Sequence, residues 1–215
     1  MRFQALQMFC DVVETGSFTR AAQRALLQTH PKVHVRLKYR CNDLVYQDVQ
    51  LGASEIGLVA HPRPRAGIDI LLACQEKLTF VCAPAHPLAQ KGRVRMAAVA
   101  AQPFIAFNRE ALTRQELDEI FRENGLEITP VMEADNVETI KRAVEMGLGV
   151  SVLPALTVQD EVANGILVSR PFSDCSCTRP IGILVRKGRH LDGAVRAVLE
   201  AFRSARIEEA LRPVA

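Results

Sequence analysis

The sequence predicts an α/β fold with largely parallel sheets, and three observations lead there. Short apolar runs of strand length alternate with stretches of helical periodicity along most of the chain. Polar cap residues open the helical stretches, and glycine or proline closes them. Aromatic residues are scarce, with 9 Phe, 2 Tyr and no Trp in 215 residues, while Ala and Val abound. That balance favours alternating strands and helices over a β-sandwich. A chain of this length can bury a substantial core and suits one large domain or two small ones.

Phe3, Leu6, Phe9, Cys10 and Val13 recur at helical spacing and predict an amphipathic helix over 3–14. Gly16 can end it in the left-handed conformation, and Ser17 can cap a second helix. Two short helices joined by a glycine turn make the opening of a helix-turn-helix. The second helix begins SFTRAAQ, runs into RALLQTH without a break, and ends at Pro31. VHVRLKY then alternates, with Val33, Val35, Leu37 and Tyr39 on one face and His34, Arg36, Lys38 and Arg40 on the other. This is a half-buried strand at a sheet edge.

Asn42 or Asp43 caps a helix that ends near Gly52, and EIGLVA (55–60) is a strand followed by the loop HPRPR (61–65). IDILLAC and KLTFVCA read as two further strands. FIAF (104–107) is a strand, and Thr113 with Glu116 forms a capping box before Leu117, Ile120 and Phe121, with Gly125 as the stop. ITPVMEA is a strand, and Asp135 with Glu138 forms a second box before Ile140, Ala143 and Val144, closed by Gly147. VSVLP (150–154) is a buried strand. There follow a short helix near 156–163, the strand ILVSR, a surface loop with Cys175 and Cys177, the strand IGILVR, and a long helix bearing Leu191, Val195, Val198, Leu199 and Phe202. Two such blocks, one in the middle and one split around it, predict two lobes with a cleft between them.

The net charge of +3 is too small to imply nucleic-acid binding. Between Thr15 and Asn42 there is no acidic residue, but Arg20, Arg24, Lys32, Arg36, Lys38 and Arg40 are present. A solvated face is the plainer reading of that run, and a phosphate-binding patch is the other. The 6 cysteines show no spacing of a disulfide scaffold, and Cys175-Ser-Cys177 lacks the second pair that a zinc site needs. No apolar signal-peptide core opens the chain, and no apolar run is long enough to span a membrane. A reducing cytoplasm fits best. No nucleophile stands with a plausible base, and the glycines of GLG (147–149) follow a helix rather than opening one, so they suit a helix stop and not a dinucleotide fingerprint. Neither an enzyme nor a metal or other cofactor is expected.

LQMFCDVVETGSFTRAAQ, ASEIGLVAHP (53–62), FVCAPAHPLA (80–89) and DNVETIKRAVEMGLGVSVLP (135–154) together resemble the LysR-type transcriptional regulators. The first piece is similar to the family's first helix and the start of its second. The rest, from about Arg24 to Phe202, is similar to its effector-binding domain. The resemblance implies a partial winged helix-turn-helix segment over 1–23 and an effector (substrate)-binding domain over 24–215. That domain would fold like a periplasmic binding protein, with lobe I about 24–82 and 181–215 and lobe II about 83–180. The family's recognition helix, its linker helix and the first strand of its effector domain have no counterpart in the text. Ser17, Thr19 and Arg20 could then touch at most DNA phosphates, and specific DNA binding is expected to be lost.

Asn136 stands at the start of a helix directly after a strand, where free backbone N–H groups favour an anion. It reads either as a plain cap or as a ligand contact, and the resemblance places effector contacts at this turn, Asp135, Asn136 and Val137. A carboxylate at Asp135 would repel an anionic effector. His61 and Pro62, at the carboxyl end of GLVA, and Asn108 and Arg109, after FIAF, sit where open α/β sheets bind ligands, although each could be an ordinary surface loop. Arg109 could pair with a carboxylate. The resemblance implies a small-molecule effector, DNA, and a homodimer or homotetramer whose contacts involve strand 33–39, the helix before it and the helix at 113–124. A solute-binding protein, or a regulator remnant without function, is the alternative.

Overall fold

The computed structural model describes residues 6–12, 33–39 and 42–188, with isolated positions between 193 and 199. The chain forms two compact units: Met1–Gln75 with Pro180–Ala215, and Glu76–Arg179. Two strands run from one to the other, β4 (Ile68–Cys82) and β9 (Thr178–Arg186). The expected terminal helix lies mostly outside the described residues.

In the first unit β1 (Leu6–Val12) pairs in parallel with β2 (Val33–Tyr39), from Leu6↔Val33 to Val12↔Tyr39. On its other side β1 pairs in parallel with β3 (Ile56–Ala60), starting at Cys10↔Ile56. β3 then pairs antiparallel with β9. Helix α1 (Asn42–Leu51) buries Val45, Tyr46 and Val49 in a cluster with Val59, Ile68 and Leu184. Gly57 is what lets the helix approach: a Cβ there would lie 2.6 Å from Val45 Cγ1 and 2.9 Å from Val49 Cγ2.

Two expectations change here. Leu6–Val12 is a strand, not part of a helix over 3–14. Leu6, Met8, Phe9, Cys10 and Val12 crowd this stretch with apolar residues. Such a run satisfies a strand flanked on both sides as well as it satisfies a helix, and pairing with β2 and β3 decides the outcome. A parallel strand thus stands between β2 and β3, in the lobe that was expected to lack its first strand. The second change is at β4: IDILLAC and KLTFVCA form one continuous strand of 15 residues. Nothing between them is a turn former, and Glu76 is not a surface break but a buried side chain.

In the second unit the later part of β4 pairs antiparallel with β7 (Ser151–Pro154) and β8 (Val168–Arg170). β5 (Phe104–Phe107) pairs in parallel with β6 (Pro130–Ala134) and makes a single parallel bridge, Phe104↔Val150. Helices α2 (Met96–Ala100), α3 (Leu112–Glu123), α4 (Val137–Glu145) and α5 (Gln159–Ala163) complete it. The strands alternate between two cores. Phe80, Phe104, Ala106 and Val152 join Leu117 and Phe121 in one. Val81, Ile105, Phe107 and Leu153 join Ile140 and Val144 in the other. A strand covered on both faces reads as an unbroken apolar run, which is what FIAF and VSVLP are. At Gly149 a Cβ would stand 2.4 Å from the Pro103 carbonyl oxygen, so β7 can enter beside β5 only with glycine there.

Both expected capping boxes are corrected. Helix α3 starts after Ala111 with no side-chain cap. Thr113 is buried in its first turn and accepts a 3.1 Å hydrogen bond from Arg179 Nη1. The Glu116 carboxyl is pushed up to about 7, chiefly by burial, with the Arg179 charge opposing. Thr113 thus serves a buried cation rather than the helix end, and Glu116 lies within that cation's field. At α4 the cap is Asn136, not Asp135, and Glu138 pairs with Lys141 at 2.9 Å. Gly125 and Gly147 do close their helices with positive φ, 70° and 75°. Cys175 and Cys177 were expected on a surface loop, but Cys177 is buried in the first core and Cys175 packs against it.

Arg179 Nε donates to Glu76 Oε2 at 2.8 Å, with side chains 2% and 1% exposed. Replacing only the cation, Arg179→Met, strands the Glu76 carboxylate and should cost about 3–5 kcal/mol in urea unfolding. The double variant with Glu76→Leu should recover much of that loss, and a single-variant cost under about 1 kcal/mol would contradict the assignment. Glu116 carries a pH signature of its own. Its carboxyl rises from 4.5 to about 7 in the folded chain. Between those values the folded state holds a proton that the unfolded chain releases. The contribution of Glu116 is therefore fully present below about pH 4.5 and is lost as pH rises through about 7. Thermal melts between about pH 5 and 8 should show this decline, and Glu116→Gln should remove it.

Candidate functional site

The candidate residues sit on turns at the carboxyl ends of parallel strands, and each unit presents its own set. In the second unit β5 and β6 end side by side, with Phe107 opposite Ala134. The next backbone bond, Asn108 N–H to the Ala134 carbonyl at 2.9 Å, ties the two turns together. Asn108 and Arg109 therefore lie next to Asp135, Asn136 and Val137, as parallel pairing requires.

Asn136 is in extended backbone, φ −139° and ψ 152°, and its Oδ1 accepts from Thr139 N–H at 2.8 Å. Its Nδ2 donates to Asp135 Oδ1 at 2.7 Å. One amide hydrogen of Asn136 is left, beside the Val137 and Glu138 N–H groups of the first helical turn, which have no acceptor within the helix. Val137 itself is buried, so its contribution is the backbone amide rather than the side chain. Asp135 is exposed beside this donor set.

Arg109 is 80% exposed, with its Nε 3.7 Å from Glu133 Oε1. Glu133 is chiefly held by Arg114, whose Nη1 donates to Glu133 Oε1 at 2.8 Å and to the Phe107 carbonyl at 2.9 Å. Arg114 Nε also reaches both Asp118 oxygens at 2.8 Å. The Arg114 hydrogen bond holds the Glu133 carboxyl below the usual carboxylate range. The buried Arg114 thus holds the end of β5, while Arg109 stays exposed. Sequence reasoning missed Arg114 and Glu133. The i,i+4 spacing of Arg114 and Asp118 was legible, but the link to β6 is a tertiary contact.

In the first unit β3 runs into His61, the one non-glycine residue with positive φ (53°) among the described residues. Its N–H donates to the Pro180 carbonyl at 2.7 Å. Pro62 lies over Gly182, where a Cβ would come within 2.6 Å of the proline Cβ. Asn42 Nδ2 donates to the Ala60 carbonyl at 3.0 Å. Tyr46 Oη bonds both the N–H and the carbonyl of Arg63, at 2.7 and 2.9 Å. Arg65 lies 4.3 Å above the Tyr46 ring and pairs with Asp43. HPRPR is a loop fastened to α1; of the two residues that hold it and the end of β3, Asn42 was read from sequence only as a candidate helix cap and Tyr46 was not singled out.

Ser17, Thr19 and Arg20, the candidate DNA contacts, lie outside the described residues. Among the described residues no group of three or more His, Cys, Asp or Glu is placed to hold a metal ion, and no helix is long and apolar enough to cross a membrane.

Comparison with known proteins accounts for this arrangement. The family model for the LysR substrate binding domain matches residues 12–206. The RuBisCO operon transcriptional regulator of Allochromatium vinosum is 26% identical over 185 residues, covering 86% of this chain and 60% of that protein. The chain thus spans about 60% of the length of that curated relative. The reduced OxyR regulatory domain from Pseudomonas aeruginosa matches with a TM-score of 0.80 at 20% identity, covering 93% of this chain and 98% of that one. The BenM effector binding domain with its effector benzoate matches with a TM-score of 0.77 at 20% identity, covering 97% and 95%. The structural likenesses establish a periplasmic-binding-protein-like α/β fold, and the match over 12–206 establishes the lineage: the chain belongs to the LysR substrate-binding domain family.

Proposed function

We propose that this chain is the effector-binding part of a LysR-type transcriptional regulator and that its effector is a small organic monoanion. The observation that carries the effector class is the donor set at the start of α4. Three N–H groups, from Asn136 Nδ2, Val137 and Glu138, gather at a helix N-terminus with the exposed Arg109 one strand away. Benzoate, bound by the similar BenM domain, is such an anion. Asp135 sets the limit: its carboxylate beside these donors tolerates one negative charge and repels a second. The His61–Pro62 turn is a contact turn of the first unit in its own right. The regulator would act in the cytoplasm as a homodimer or homotetramer, with β2 at the sheet edge as one contact surface.

Calorimetric titration with a panel of aromatic and aliphatic monocarboxylates, their amides and matched dicarboxylates tests this reading. A monocarboxylate should bind, its amide should bind at least about tenfold more weakly, and Asp135→Asn should admit the dicarboxylate. Asn136→Ala should weaken binding and cost about 1 kcal/mol of stability as a lost cap. Equal binding of acid and amide would defeat the anion assignment.

Sequence-specific DNA binding is the second part of the reading. Residues that form β1 of the sheet cannot at the same time form the first helix of a helix-turn-helix. We therefore expect the chain to bind DNA only through phosphates, if at all, with no preference among operators. A gel-shift titration that finds sequence-preferring retardation, resistant to raised salt, would defeat it.

A further inference from the structure

Cys175 and Cys177 are the pair of nucleophilic side chains that the effector reading leaves unused. Their sulfurs stand 2.7 Å apart. That is short of van der Waals contact and not far from the length of a disulfide bond, about 2.05 Å. The segment carrying them is pinned along its length. Ser173 N–H bonds the Val94 carbonyl at 2.9 Å, and both Asp174 oxygens accept from Met96 N–H at 3.1 Å, at the start of α2. The Cys177 carbonyl accepts from Leu78 N–H of β4 at 2.9 Å. Two residues later Arg179 is locked to Glu76. The sulfurs are therefore held together by backbone anchors on both sides rather than meeting by chance in a loose loop.

We propose that Cys175 and Cys177 form a redox-active dithiol, oxidised by a peroxide to an intramolecular disulfide. The two sulfurs have different roles. Cys175 is half-buried, and the hydrogen bond from Cys177 lowers its thiol below the usual cysteine range. Cys177 is buried, and its thiol is raised by that same hydrogen bond and by burial. The Cys175 thiolate attacks a peroxide oxygen, so an S–O bond forms, the O–O bond breaks, and hydroxide leaves and takes a proton to become water. Cys177 then gives up its proton and its sulfur attacks Cys175 Sγ. The S–S bond forms, the S–O bond breaks, and a second water leaves. Two thiols are oxidised by two electrons and one peroxide is reduced to two waters. Cys82 provides an internal contrast: it is fully buried, and burial pushes its thiol up to about 11.

The test treats the whole chain with a few equivalents of hydrogen peroxide, alkylates free thiols, reduces, and alkylates again with an isotopically heavy reagent. The peptide that spans Cys175 and Cys177 should carry the heavy label on both sulfurs. Before reduction it should be lighter by two hydrogens, while Cys82 carries only the light label. In Cys177→Ser the remaining Cys175 should progress to sulfenic and sulfinic acid instead. Cys175→Ser, at the more accessible position, should leave Cys177 as a free thiol. Light label on both residues in the wild type would overturn the proposal. So would sulfinic acid on Cys175 in the wild type to the same extent as in Cys177→Ser, since both outcomes mean that the second sulfur does not resolve the first.

Discussion

Arg179 is the constraint around which the second unit is organised. A guanidinium cannot be neutralised by giving up its proton, so burying it obliges the fold to bring it an anion and further acceptors. Glu76 comes from β4 and Thr113 from the first turn of α3, so two strands and a helix converge on one cation. Glu76 and Arg179 are also the first and last residues of that unit. The ion pair therefore closes the loop of chain that forms it. Cys177, directly before β9, and Arg179 within it are both buried, two residues apart. Glu116 feels the charge of Arg179 and also raises the Cys177 thiol. The dithiol and the buried cation thus belong to one electrostatic neighbourhood.

The same logic recurs wherever the second unit buries charge. Lys141 lies inside the unit and is satisfied by Glu161 at 2.6 Å, Glu138 at 2.9 Å and the Thr157 carbonyl at 3.2 Å. Arg114 is satisfied by Asp118, Glu133 and the Phe107 carbonyl. Each cation reaches at least one backbone carbonyl or hydroxyl besides its carboxylates. Such pairs add less to stability than their number suggests, because desolvation offsets much of the Coulomb gain. They add geometry: a cation with three fixed acceptors admits few positions for the elements that carry them.

Much of the fold was legible because burial on both faces leaves an unmistakable trace. FIAF, EIGLVA and VSVLP are short apolar runs bounded by polar or turn residues, and all three are strands. Helix ends marked by glycine were equally plain. The failures share one physical cause, that a distant partner outvoted the local pattern. Thr113 and Glu116 have cap spacing, but the cation that Thr113 serves lies 66 residues away in sequence. IDILLAC and KLTFVCA read as two strands, but Glu76 between them is buried against a partner 103 residues away. Leu6–Val12 has both helical spacing and strand composition, and only the neighbours β2 and β3 settle which is used. At the candidate site the positions of Asn108, Asp135 and Asn136 were readable from strand ends, whereas Arg114 beneath them was not.

What the candidate turns share is a side-chain hydrogen bond, from a neighbouring helix or from the turn itself, that fixes backbone at or beside them. Tyr46 of α1 grips both polar groups of Arg63, Arg114 of α3 holds the Phe107 carbonyl, and Asn136 caps the amide of Thr139. A binding turn held this way loses little conformational entropy when a ligand arrives, so more of the contact energy appears as affinity. The arrangement also explains why Asp135 can stay exposed without disturbing the turn. Its Oδ1 accepts from Asn136 Nδ2 at 2.7 Å, and Asn136 rather than Asp135 caps the helix. A carboxylate free to swing would cap the helix itself and occupy the donors a ligand needs. Tethered by Asn136, it leaves the first amides of α4 without a carboxylate cap, which is the geometry that the anion proposal rests on.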